Sequence, residues 1–128
     1  MKVYVSVAFL DTNEVVEIAR AADDLGYDGL GIPDHVVNLE TLKTPYPYTT
    51  VYLPAMRDPY SAAKSIGTAA LLAGGRLELG IGVGWCEEEF TLMGQRFGRR
   101  GKRTDEMLEL MKELWKPGWT EFDGEFYQ

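Results

Sequence analysis

The chain has 128 residues, 45% of them hydrophobic and 12% aromatic, which is enough to bury one modest core and points to a single globular domain. Thirteen basic against twenty acidic side chains leave a formal net charge of −7; this excludes general nucleic-acid binding, where neutralisation of phosphate supplies most of the affinity, and leaves small molecules or proteins as partners. Cys86 is the only cysteine, so no internal disulfide forms, and no apolar run approaches the ~20 residues of a membrane helix, so a soluble cytoplasmic chain is expected.

In chain order, short extended runs alternate with amphipathic ones, the pattern of a parallel sheet wrapped by helices. Lys2 to Leu10 has a basic start and an apolar middle but runs into Asp11-Thr12-Asn13-Glu14 rather than a small-residue cleavage site, so Val3 to Phe9 reads as a first strand. Asp11 with Glu14 three residues on predicts a capping box. Val15, Ile18, Ala19, Ala22 and Leu25 recur at helical spacing up to Gly26, a residue suited to end the helix in a left-handed conformation. Tyr27 to Val37 follows as a second strand, with Asp34 and His35 at the end where parallel sheets gather ligands.

Asn38 to Thr50 breaks the pattern. Its two prolines and lack of periodicity rule out an ordinary crossover helix, yet Thr49 to Leu53 again reads as a strand. Asp58-Pro59 then predicts a helix start, with Ala62, Ala63, Ile66, Ala69, Ala70 and Ala73 facing inward and Gly74-Gly75 as the stop. Leu77 to Val83 is the next expected strand. A short acidic helix over Glu87 to Met93 follows, and the longest helix is expected from Thr104 or Asp105, burying Met107, Leu108, Leu110, Met111, Leu114 and Trp115. Asp123-Gly124 between Trp119 to Phe122 and Glu125 to Gln128 reads as the turn of a small C-terminal β-hairpin.

Two stretches carry most of the chemistry. In Leu77 to Trp85, alternation puts Leu77, Leu79, Ile81 and Val83 on one face and Glu78, Gly80, Gly82 and Gly84 on the other. A strand face made of glycine implies close approach of a ligand or of neighbouring backbone. The spacing G-x-G-x-G, with no helix opening among the glycines, makes a dinucleotide fingerprint a weak reading. His35, the only histidine, sits where a general acid or base near neutral pH would serve, the alternative being a hydrogen-bonded core histidine. Arg96, Arg99, Arg100, Lys102 and Arg103 form a basic cluster that reads as an ion-paired, solvated face before it reads as a phosphate or polyglutamate site. Cys86 has no second histidine to activate it and is expected to be inert. No grouping has metal-site spacing and no nucleophile motif occurs.

Taken together, Tyr52-Leu53-Pro54-Ala55-Met56-Arg57-Asp58-Pro59, the glycine-bearing run Gly74 to Trp85, Arg99-Arg100-Gly101-Lys102-Arg103-Thr104-Asp105-Glu106-Met107, Asp34-His35 and the Asp-Gly turn resemble the luciferase-like monooxygenase superfamily, and within it the deazaflavin-dependent oxidoreductases. The resemblance implies a TIM (β/α)8 barrel, which takes about 250 residues to close, so this chain would be a partial barrel of about four strand-helix units. Such relatives carry a loop, a helix and most of a strand between the equivalents of Tyr48 and Thr49. The expectation is therefore an N-terminal half with a deleted or omitted segment at that point. Four strands would leave two open edges, through which homo-oligomers or looser self-association would form.

The resemblance further implies hydride transfer between a small organic substrate and coenzyme F-420, with FMN as the alternative cofactor. It assigns His35 a catalytic place beside the cofactor ring. Asp34, Thr50, Val51, Gly82, Val83, Gly84 and Trp85 would border the cofactor. At Thr50-Val51 relatives often hold a non-proline cis bond costing of order 3 kcal/mol; an ordinary trans bond is expected here. A second reading, from the missing units, is a catalytically inactive flavin-binding or assembly protein.

Overall fold

The computed structural model describes residues 1–8, 10–34 and 51–128. The chain packs as two compact units, Met1–Tyr52 and Leu53–Gln128. Expectations placed on Phe9, on His35 and on the rest of 36–50 fall outside the described residues.

The first unit is a strand–helix–strand. β1 (Tyr4–Ser6) and β2 (Gly29–Gly31) pair in parallel, Tyr4 opposite Gly29, Val5 opposite Leu30 and Ser6 opposite Gly31. Both are shorter than the expected runs. The Tyr4 ring lies over Gly29, where a Cβ would stand 3.2 Å from it. The crossover is α1 (Thr12–Asp24), which begins with the predicted capping box: the Asp11 amide donates to Glu14 Oε2 at 2.9 Å. It ends as predicted at Gly26, whose φ of +77° lets its amide bond Asp23 O while the Tyr27 amide bonds Ala22 O, a Schellman motif. Along α1 only Ala22 is buried; Leu25, expected inside, is 75% exposed because as the C-cap it lies past the last full turn.

The second unit is helical. Leu53, Pro54, Ala55 and Met56 are buried, the last three as a single 3₁₀ turn directly after the strand expected over Thr49 to Leu53, of which only Tyr52 makes a β-bridge among the described residues. α2 (Pro59–Leu72) starts where predicted, with Asp58 accepting from the Ser61 amide at 2.8 Å. Its first half buries Ala62 and Ala63, but Ala69 faces solvent, as do Leu71 and Leu72 at 83% and 84% exposure. α3 (Glu87–Leu92) follows, and α4 (Arg100–Leu114) packs on both α2 and the 3₁₀ turn. Met107, Leu110 and Met111 form the buried stripe of α4, whereas Trp115 is 45% exposed and lies across α2 at Gly67, its Nε1 donating to Ala63 O at 2.9 Å.

Three expectations need correction. Leu77 to Val83 does not form a ladder strand: among the described residues the sheet has two strands where four were expected, and within this run only Ile81 makes a β-bridge. A strand exists through its backbone partners, and at Gly84 the carbonyl is taken by the Arg100 side chain instead. The second correction is the start of α4, four residues earlier than Thr104. Arg103 is 8% exposed and its Nη2 donates to Ala55 O at 3.0 Å and Arg96 O at 2.7 Å, which draws the preceding turn inward.

Third, the C-terminal stretch contains no hairpin strands. A type I′ turn needs positive φ at both central residues, and Gly124 does not have it. The Glu106 carboxylate instead gathers the amides of Glu125, Phe126 and Tyr127 at 2.9, 2.7 and 2.8 Å, so those amides point at α4 and not at a partner strand. A side chain at Gly124 would collide with that same carboxylate. Arg99 completes the attachment through a two-pronged bond to Glu125 and a stack on the Phe126 ring 5.0 Å from its centre.

Among the described residues no helix is long and apolar enough to cross a membrane.

Arg103→Met is expected to destabilise the protein by about 2–4 kcal/mol, because it strips the donor from two carbonyls. The check is a lowered denaturant midpoint at unchanged slope. Arg103→Lys should recover less than half of the loss, since one ammonium cannot reproduce the guanidinium's planar fork. Glu106→Gln halves the acceptor capacity facing three amides; faster amide exchange at residues 125–127, with the α2 amides unchanged, is the expected readout.

Candidate functional site

The candidate residues fall in both units. In the first, Asp34 is half-buried three residues beyond the C-terminal end of β2, and Val51 is half-buried as well. His35 and Thr50 lie outside the described residues. In the second unit Gly82, Val83, Gly84 and Trp85 form one continuous stretch leading into α3, and their geometry can be built from the backbone outward.

Gly84 adopts φ +77°, a conformation open to glycine and strained for other residues. A Cβ there would come within 2.6 Å of the Phe90 ring, which is fully buried on α3. The space at Gly84 is therefore filled by the protein's own core. At Gly84 the close neighbour is thus a core ring, rather than the strands expected on the packing reading. Phe90 in turn meets Phe97 edge-on, ring centres 5.4 Å apart at 78°. Arg100 lies over Phe97 at 3.7 Å and donates Nε–H to Gly84 O at 2.8 Å. Val83 on the neighbouring position turns outward, 46% exposed, while Gly82 and Trp85 are half-buried.

The basic cluster is mostly employed. Arg99 pairs with Glu125, which raises the guanidinium's pKa and holds the Glu125 carboxyl below its usual range. Arg100 and Arg103 donate to backbone carbonyls. The expected ion-paired face is thus right for Arg99 and wrong for Arg103, whose burial shows a structural cation. Cys86 is buried, and burial pushes its thiol pKa up, with the Glu88 carboxylate 3.6 Å away adding to the shift. An apolar groove of about 600 Å³ between the end of α2, Leu77, Leu79 and Trp115 contains none of the candidate residues and no titratable side chain. Among the described residues no group of three His, Cys, Asp or Glu side chains is placed to hold a metal ion.

The contacts that shape the stretch, Phe90 beneath it and Arg100 on its carbonyl, were not picked out as site residues from sequence. The signal available was the pair Arg100 and Arg103, three apart at the start of a helix and therefore on one face, shortly after Phe90 and Phe97.

The luciferase-like monooxygenase profile matches residues 5–128. The chain belongs to that family. The fold of that family is the TIM barrel. An uncharacterized protein of Mycobacterium tuberculosis is 31% identical over an aligned span of 154 residues, covering 94% of this chain and 54% of the relative. That span exceeds the 128 residues of the chain, so the relative carries residues within it that this chain lacks. A second uncharacterized M. tuberculosis protein is 42% identical over 78 residues, 61% of this chain and 28% of the relative. An F420-dependent glucose-6-phosphate dehydrogenase of Gordonia bronchialis is 30% identical over 140 residues, 91% of this chain and 41% of the relative. The chain spans about half the length of the curated relatives it matches.

Gly84→Ala should destabilise by about 2–4 kcal/mol, combining backbone strain with overpacking against Phe90, and calorimetry or denaturant melts would measure it. Because a thiolate is needed for alkylation, native Cys86 should react with iodoacetamide at pH 8 at least about tenfold more slowly than in denaturant, as followed by mass spectrometry.

Proposed function

We propose that this chain is the N-terminal part of a luciferase-like oxidoreductase barrel that transfers hydride between coenzyme F-420 and a small organic substrate. The observation that carries the reading is the family match over residues 5–128, joined by relatives named F420-dependent. FMN is the alternative cofactor, implied by the sequence resemblance alone.

The described geometry is compatible with a flat ring beside Gly82–Trp85. The bend at Gly84 is held from the core side, Val83 turns outward, and Gly82 adds no side chain of its own, so the stretch offers a low edge against which a ring can lie. When bound, the cofactor supplies the hydride chemistry; the protein supplies placement and electrostatics. In this reading Gly82, Val83 and Trp85 form one wall, and Gly84 contributes its bend rather than an open gap. Asp34, just past the end of β2, lies where parallel barrels assemble their sites. The family resemblance gives His35, the next residue in the sequence, the part of proton donor or acceptor, and gives Thr50 and Val51 a place bordering the cofactor.

A second reading has its own support. The 31% identical M. tuberculosis relative carries residues inside the aligned span that this chain lacks, and we propose that the gap falls between Tyr48 and Thr49. On that reading it is a catalytically inactive flavin-binding or assembly protein.

Titration of the purified chain with F-420 and, separately, with FMN, followed by absorbance and fluorescence, tests the proposal. Binding of F-420 in preference to FMN is the expected result; a folded chain that takes up neither would overturn it and favour the second reading. In a protein with measurable turnover, His35→Ala should lower the rate by roughly 10² to 10⁴ while leaving cofactor affinity in place. Unaltered turnover would remove His35 from the mechanism.

A further inference from the structure

We infer that Arg100 is a positioning residue for the wall formed by Gly82–Trp85, holding that stretch in its left-handed bend through the Gly84 carbonyl. The inference rests on the reading of this stretch as a cofactor wall.

Five contacts close on one another. Arg100 Nε donates to Gly84 O at 2.8 Å. The same guanidinium lies over the Phe97 ring at 3.7 Å, and its Nη1 reaches Phe97 O at 3.4 Å. Phe97 meets Phe90 edge-on at 5.4 Å. Phe90 fills the space where a side chain at Gly84 would stand. Gly84 is thus gripped from two sides, by an apolar ring below and by a charged donor on its carbonyl.

Each contact restricts a different freedom. The ring stack fixes the plane of the guanidinium, so its Nε–H points in one direction only. The bond it makes is charge-assisted, roughly twice as strong as a neutral one, and it lies in a half-buried site where water competes poorly. Phe90, with no exposed surface, prevents the glycine from swinging inward. A carbonyl held this way fixes the orientation of the peptide between Gly84 and Trp85, and with it the direction in which Val83 and Trp85 project. Arg100 itself need not touch the ring, which separates a positioning role from a catalytic one. Two of its nitrogens, Nε and Nη1, are committed to backbone carbonyls.

Arg100→Met keeps an apolar stem over Phe97 and removes the donor. In the wild-type and variant chains, native-state amide exchange and cofactor titration are measured side by side. Exchange at residues 82–86 is expected to accelerate at least about tenfold in the variant while the α2 amides keep their rates, the size expected for losing one charge-assisted bond. The dissociation constant for F-420, or for FMN if that is what binds, should rise about tenfold when both chains are compared well below their melting midpoints. Arg100→Lys should not restore either value, since an ammonium has no plane to stack.

Unchanged exchange at 82–86 overturns the inference, and so does faster exchange with unaltered cofactor affinity. Wild-type chain that binds neither cofactor overturns the functional reading instead, and the exchange comparison then decides by itself whether Arg100 holds the bend. If Arg100→Met does not fold, Phe97→Leu, which keeps the donor and removes the stacked face, must show the same local acceleration; its absence counts against the inference.

Discussion

A buried cation organises the helical unit. Arg103 reaches from α4 to the carbonyls of Ala55 and Arg96, tying the 3₁₀ turn, the loop after α3 and the helix itself to one guanidinium. A charge removed from water is costly unless its hydrogen bonds are made, and here those bonds are what bring three separate segments together. Because the helix must start early enough to carry Arg103 inward, it also carries Arg100, three residues before, along the same face to Gly84. Met107, Leu110 and Met111 then fall on the buried side, since the register set at the first turn fixes the remainder.

The consequence for function runs through Gly84. A glycine beside a proposed ring invites the interpretation that its missing side chain makes room for that ring. The Phe90 ring occupies this room, so the value of glycine at position 84 lies in its left-handed backbone. A wall made in this way is stiff for reasons remote from any ligand: a core aromatic beneath, a charged donor on the carbonyl, and a helix start that delivers the donor. The same economy holds at the other end of α4, where Glu106 collects three amides and leaves the last residues of the chain attached to the helix rather than paired as strands.

Helices were more legible than strands, and the cause is local. α1 and α2 begin at an Asp and end at a glycine because caps are satisfied within a few residues, and both ends were readable as such. β1 and β2 were found but overextended, since a strand ends where its partner ends and that is a long-range fact. Leu77 to Val83 has the apolar alternation of a strand and no ladder beside it among the described residues. The candidate site was legible as a location, the glycine-bearing stretch before α3, but the role of Gly84 was not, because its neighbour Phe90 is on the far side of a turn. Asp34 lies just past a strand end as anticipated.

By itself the sequence determined the caps of α1 and α2 and the family to which the chain belongs, which depend on residue type over short spans or on several motifs recurring together. Only the tertiary structure decided that Arg103 is a core residue, that Phe90 fills the space at Gly84, that Arg100 grips its carbonyl and that the C-terminal residues fold back on Glu106. Each of these is a contact between groups six to fifty positions apart, and the chain must already be folded before any of them can meet.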